Sequence, residues 1–199
     1  MGRLLSTFLI VATSIIFSAC AFVDNEIQLE YQTVSAASAP GSKTGTIYMS
    51  LFKDERTDKT KVGVIRNAYG METAKVLTSD NPTIWVSNTL KGNLERSGYK
   101  VETVADGFSP SRDQFYLSGS LTKVHSDPQM GFWTVTVRGD VEAFLHAQFG
   151  GQRTQKLIVG HFETESLVST GGDLHKGVLN SALSDFVTKV LTWLQSLKT

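Results

Sequence analysis

Every second residue from 133 to 147 is apolar or small: Trp133, Val135, Val137, Gly139, Val141, Ala143, Leu145 and Ala147. Between them stand Thr134, Thr136, Arg138, Asp140, Glu142 and His146. A period of two with one wet and one dry phase predicts a long half-buried strand. At ~3.3 Å per residue such a strand would reach ~50 Å, so a bend or bulge is expected, with Gly139 as its site. Residues 113–124 alternate in the same way, with Phe115, Leu117, Gly119 and Leu121 in phase. Phe149-Gly150-Gly151-Gln152 has the composition of a hairpin turn, and residues 156–167 return as a further strand.

Shorter strands are predicted upstream. Residues 26–34 place Ile27, Leu29 and Tyr31 on one side, and residues 46–52 place Ile47, Met49 and Leu51 in phase. Residues 62–65 and 99–104 are two more. The stretch 35–44 is small and polar and reads as a loop; residues 66–79, without clear period and with Asn67 and Gly70, read as a long one. Residues 53–61 are charged and solvated. Asp and Thr favour turns there, and Arg56 has Asp54 and Asp58 within reach for pairing.

Two helices are expected. Asn81-Pro82 is a start signal, since Asn caps well and Pro is preformed for the first helical position. Val86, Leu90 and Leu94 then form a stripe, and Gly98 suits the left-handed position beyond the last turn. After Gly171-Gly172, with Asp173 as the expected cap, Leu174, Val178, Ala182, Phe186, Val190 and Leu194 recur on one face nearly to Thr199. The order predicts an α+β fold: a two-layer sandwich, with a mainly antiparallel sheet and two amphipathic helices packed on one face.

The first twenty residues stand apart. Arg3 is the only charge before Asp24, residues 4–17 are apolar but for four hydroxyl residues, and Phe17-Ser18-Ala19-Cys20 follows. This is the layout of a secretory signal, too short and hydroxyl-rich for a membrane span. Phe17-Ser18-Ala19-Cys20 resembles the bacterial lipobox, usually Leu-Ala/Ser-Gly/Ala-Cys, with Phe17 in the place of Leu. The resemblance implies cleavage before Cys20, diacylation of its thiol and acylation of the new amine. Several acyl chains anchor a protein stably. The open alternative is an ordinary secretory signal followed by a chance cysteine. Ala21, rather than Asp, after the cysteine resembles lipoproteins sent to the outer membrane. The division expected is residues 1–19 as signal peptide, 20–25 as lipidated N-terminus and tether, and 26–199 as a single domain.

Without residues 1–19 the chain has 180 residues, with 18 Lys and Arg against 19 Asp and Glu. A near-neutral chain has no electrostatic reason to seek nucleic acid. Cys20 is the only cysteine, so no disulfide is available and stability must come from burial and hydrogen bonding.

Candidate chemistry is sparse. His125, His146, His161 and His175 show no metal-ligand spacing. His146 lies on the wet phase of its strand. His125 and Asp127 flank an expected turn before Pro128. His161 and Glu163 share a face, but two ligands do not make a site. His175 is expected in the first turn of the last helix, facing solvent. No nucleophile elbow, Ser-x-x-Lys or phosphate loop occurs. No catalytic residue, metal or cofactor is expected. Phe132 and Phe144 fall on the wet phase, where exposed aromatics mark a candidate partner surface.

The order of motifs carries a resemblance. Asp54-Glu55-Arg56-Thr57-Asp58 follows an alternating strand; Val62-Gly63-Val64-Ile65, a loop and a helix ending Leu94-Glu95-Arg96-Ser97-Gly98-Tyr99-Lys100-Val101 come next. With the lipobox, meander and terminal helix, this resembles the YajG-like lipoproteins. The resemblance implies an envelope lipoprotein with no assigned reaction, and it supplies no catalytic residues. The expected function is therefore that of a non-enzymatic accessory or scaffold protein, anchored by Cys20 to the periplasmic side of the outer membrane and bound to an envelope protein. A binder of a small amphiphile or glycan, held between sheet and helices or in residues 66–79, is the alternative. A hydrolase would need a nucleophile–base pair assembled by the fold.

Overall fold

The computed structural model describes residues 23–30, 45–166 and 171–197. Cys20, the signal segment and the latter part of the expected first strand lie outside the described residues. The architecture is a mixed α+β fold with a mainly antiparallel sheet, not closed into a barrel, and two helices on one face.

The alternating segments form its backbone. β7 (Phe115–Met130), β8 (Val135–Phe149) and β9 (Gln152–Ser166) pair as an antiparallel meander. Gly150 and Gly151 turn the β8–β9 hairpin with φ of 60° and 79°, values that favour glycine and suit the twist of the flanking strands.

β7 is too long for one short neighbour, and its second edge is shared. β2 (Thr46–Ser50) pairs parallel with residues 115–117, β3 (Lys53–Asp54) with residues 120–121, and β4 (Lys61–Arg66) meets it at Ser126. β6 (Lys100–Val104) extends β2 in parallel. On the other wing, β5 (Glu72–Leu77) pairs antiparallel with β4, and β1 (Asn25–Glu26) runs parallel to β5. The sheet thus forks along β7.

Residues 66–79 are a hairpin rather than a long loop. The Asn67 N–H donates to Met71 O at 3.0 Å, and β5 buries Ala74 and Val76 while exposing Glu72 and Lys75. Two small apolar residues make an alternation too short to read without the partner strand. The strand from residue 115 likewise runs on through Asp127 and Pro128, where a turn was expected, because β8 pairs with it as far as Met130.

α1 (Pro82–Arg96) starts as its sequence predicts. Asn81 Oδ1 accepts from the N–H groups of Thr83 at 2.9 Å and Ile84 at 3.3 Å. At its end Gly98 takes φ 92°, the Tyr99 N–H donates to Leu94 O at 3.2 Å and the Gly98 N–H to Glu95 O at 3.0 Å. These two bonds satisfy carbonyls that the helix leaves open. α2 (Gly172–Ser196) is capped at Gly171, not Asp173; Asp173 sits in the first turn, where its charge favours the helix dipole.

No register shift falls at Gly139, which stays paired with Ser126 and Phe162. The register shift lies elsewhere, on β7 between Leu121 and Lys123, opposite Ala143 and Glu142 of β8. Gly139 instead admits α2: a Cβ there would stand 2.6 Å from Val178 O. Gly160, paired across from Val141, does the same more tightly, since a Cβ would stand 2.1 Å from Ala182 O. The helix backbone rests directly on the sheet at these two positions. Around them Leu179, Leu183, Phe186 and Leu194 of α2, with Leu90 and Leu94 of α1, pack against Ile47, Leu117, Leu121 and Leu145 in one contiguous core.

Candidate functional site

The face of the β7–β8–β9 meander turned away from the helices carries the residues of the wet phase. Near the β8–β9 turn, Tyr116, His146 and Arg153 border a cavity of about 630 Å³, closed on one side by Phe108. Phe108 stacks on Tyr48 with ring centroids 5.4 Å apart and lies tilted against Tyr116 at 5.7 Å. That volume suits a small ligand. It lies on the opposite side of the sheet from the expected binding region between sheet and helices, which is filled by side chains.

Next along this face is an apolar patch. Phe144 and Leu157 are direct cross-strand partners, Val159 lies one step further on β9, and all three are exposed. Phe144 thus lies where its phase placed it. Phe132 and Trp133 are also exposed, in the β7–β8 turn, with their rings edge-on at 4.7 Å. Alternation had put Trp133 in the dry phase. The strand begins only at Val135, so Trp133 escapes it.

Beyond the patch the face becomes charged. Asp140 Oδ2 accepts from Lys123 Nζ at 2.7 Å, and its Oδ1 lies 2.7 Å from His161 Nδ1. Burial pushes the Asp140 carboxyl up, but the bonds from Lys123 and His161 outweigh it and hold the group below its ordinary range. Glu163 Oε2 is 3.7 Å from His161 Nε2. Among the described residues no group of three His, Cys, Asp or Glu side chains is placed to hold a metal ion.

The Asp54–Asp58 turn closes on itself. The Arg56 guanidinium, buried, grips Asp54 through Nε–Oδ1 at 3.0 Å and Nη2–Oδ2 at 2.9 Å, and donates to Lys59 O at 2.6 Å. Its donors are used internally, so this turn is a structural clasp.

His175 is where sequence and structure differ most. It was expected to face solvent and is fully buried, with Nδ1 2.8 Å from Ser126 Oγ. Ser126 Oγ also lies 3.2 Å from Val62 O. A serine and a histidine in hydrogen-bond reach are what a hydrolase requires. Both residues here have no exposure, however, so neither is open to a substrate from solvent. The pair joins α2 to the sheet. Burial, then the neighbouring His125, hold the His175 pKa down to about 4, so the ring is neutral.

The model of a family described as "Uncharacterized lipoprotein" matches residues 33–192. The chain belongs to this lipoprotein family. No curated protein matches the sequence. Among solved structures, the lipoprotein resembles a protein from Xanthomonas campestris at 15% identity and a TM-score of 0.55, covering 89% of this chain and 100% of that one. It also resembles an uncharacterized protein at 16% identity and a TM-score of 0.51, covering 86% and 99%. At such identities the likeness extends to the fold alone. No helix among the described residues is long and apolar enough to cross a membrane.

Proposed function

We propose that this lipoprotein is a YajG-like, non-enzymatic accessory protein of the cell envelope, held by acylated Cys20 on the periplasmic side of the outer membrane and bound to an envelope protein through its open sheet face. The observation that carries the binding surface is the Phe144–Leu157–Val159 patch, which no described residue covers and which borders charged groups. An apolar centre with a polar surround is the layout of a protein interface. The family match and the Phe17-Ser18-Ala19-Cys20 sequence support the anchor.

Photo-crosslinking residues placed at Phe144 and Leu157 test the reading in intact envelopes, with exposed Thr192 on α2 as control. The expected result is one discrete adduct from the two sheet positions and none from Thr192. Free monomer alone from both sheet positions refutes it. Cys20→Ser should separately release the protein from the membrane fraction.

The cavity beside Tyr116 favours a second reading, a periplasmic binder of a small amphiphile or glycan. Titration with a short-chain glucoside detergent and with chitin oligosaccharides, comparing wild type with Arg153→Ala, tests it. Absence of any saturable thermal stabilisation in the wild type excludes it for those ligand classes.

A further inference from the structure

We propose that one end of this protein lies in the surface of the phospholipid bilayer, with the tips of the β4–β5 and β7–β8 hairpins inserted among the headgroups beside the anchor. The proposal rests on the lipid-anchor reading for the chain that precedes Val23.

The two tips reach the same end of the sheet, because β4 runs parallel to β7 with Gly63 opposite Ser126. Their exposed residues are large and apolar: Tyr69 at 88% and Met71 at 59% on one, Phe132 at 87% and Trp133 at 81% on the other. Residues 67–71 and 130–135 contain no charged side chain. Aromatic residues with an apolar body and a polar handle favour the membrane interface, and Trp and Tyr are the best examples.

The tips are fixed relative to each other. Arg66, at the base of the first, donates to Asp127 of β7 through Nε–Oδ1 at 2.6 Å and Nη2–Oδ2 at 3.0 Å. Its Nη1 holds Gly70 O at 3.0 Å. Inside that turn, Asn67 Oδ1 accepts from the N–H groups of Tyr69 and Met71, each at 3.0 Å. The four side chains are thus presented on a preformed surface.

The course of the N-terminal chain decides between a lipid and a protein occupant. β1 runs parallel to β5, with Asn25 opposite Val76, so the chain before Asn25 heads toward Met71. Asp24 Oδ1 accepts from the Lys75 N–H at 2.7 Å, and exposed Val23 follows. Cys20 is three residues earlier, within roughly 11 Å of chain. An acylated Cys20 therefore enters the bilayer at the end that carries the four apolar residues.

The tryptophans supply the test. Trp85 and Trp193 are 5% and 6% exposed, which leaves Trp133 as the one accessible to a quencher. Mature acylated protein, beginning at Cys20, is reconstituted into phosphatidylethanolamine–phosphatidylcholine vesicles carrying bromines at shallow or deep positions on the acyl chains. Flotation reads the anchor, and emission reads the tip. We expect the protein to float and its emission to be quenched, more by shallow than by deep bromines. Quenching should be absent in Trp133→Phe, reduced in Phe132→Ser/Met71→Ser, and unchanged by salt because the tips carry no charge. Protein that floats with unquenched Trp133 overturns the tip proposal while keeping the anchor, and assigns the aromatics to a protein partner. Protein that does not float overturns both.

Discussion

Nδ1 of His175 lies 2.8 Å from Oγ of Ser126, and neither side chain touches solvent. With the proton on Nδ1, the ring donates to Ser126 and Ser126 donates to Val62 O. Every donor is then satisfied, and only the acceptor at Nε2 is left without a partner. A second proton has nowhere to bond, which is the physical content of the lowered pKa.

That arrangement predicts a pH dependence of stability. His175 has a folded pKa of about 4 against an ordinary 6.5, so the unfolded chain binds the proton more readily. Its contribution is fully present above pH 6.5 and is lost as pH falls toward 4, at most roughly 3 kcal/mol in all. Half-buried His125, also shifted down by desolvation, acts in the same direction. Urea unfolding at pH 7.0 and 4.5 should show the loss, and His175→Leu should flatten the curve between them. An unchanged slope in His175→Leu would remove the assignment.

The contact between α2 and the sheet predicts opposite effects for two glycines. A Cβ at Gly160 would stand 2.1 Å from Ala182 O and 2.5 Å from the Phe186 Cβ, with backbone on the opposing side unable to yield cheaply. Gly160→Ala should destabilise by ~3 kcal/mol, the upper part of the overpacking range. Gly177, on α2 itself, has nothing within 4 Å of its Cβ position. Gly177→Ala should stabilise by up to ~1 kcal/mol through helix propensity. Thermal unfolding of the two variants distinguishes them by sign.

These glycines also mark where sequence reading stops. Asn81-Pro82, Gly98 and Gly150-Gly151 were legible because each works through bonds to its own neighbours. Gly139 and Gly160 have no local signature; their role depends on a helix that follows them in the chain and crosses over them. The same holds for His175, whose burial depends on Ser126 forty-nine residues earlier. Phe144 was legible as an exposed aromatic from strand phase alone. Tyr69 and Met71 were not, because the hairpin that raises them was read as a loop.

Arg56 should matter for stability rather than for binding. It makes a two-point pair with Asp54 and holds the carbonyls of Lys59 and Lys61, the latter at 3.4 Å. Burial raises the Asp54 carboxyl, yet the Arg56 bonds and charge bring it below its ordinary value. Arg56→Ala should cost ~3 kcal/mol, since it strips a partly buried carboxylate of its guanidinium partner and two carbonyls of the Arg56 bonds. Arg56→Lys should recover only part of this, because an ammonium cannot reproduce the fork. Chemical denaturation of both variants reads the difference.

The free edge of β9 carries a last prediction. Among the described residues β9 pairs only with β8, so its other edge offers backbone groups to a passing strand. α2 occupies part of that edge. Asp185 Oδ2 accepts from the His161 N–H at 2.9 Å, and Lys189 Nζ donates to Val159 O at 3.0 Å. The two side chains also pair with each other at 2.6 Å across one helical turn, which keeps both over the strand. Their direct contribution to stability is small, as for most exposed pairs. Their larger effect is to keep a second chain from adding to the sheet. Asp185→Ala/Lys189→Ala should therefore lower stability by no more than ~1 kcal/mol yet shift the protein toward dimers and larger species. Sedimentation velocity over a concentration series checks this, and a variant that remains as monomeric as the wild type would show that the edge is protected by other means.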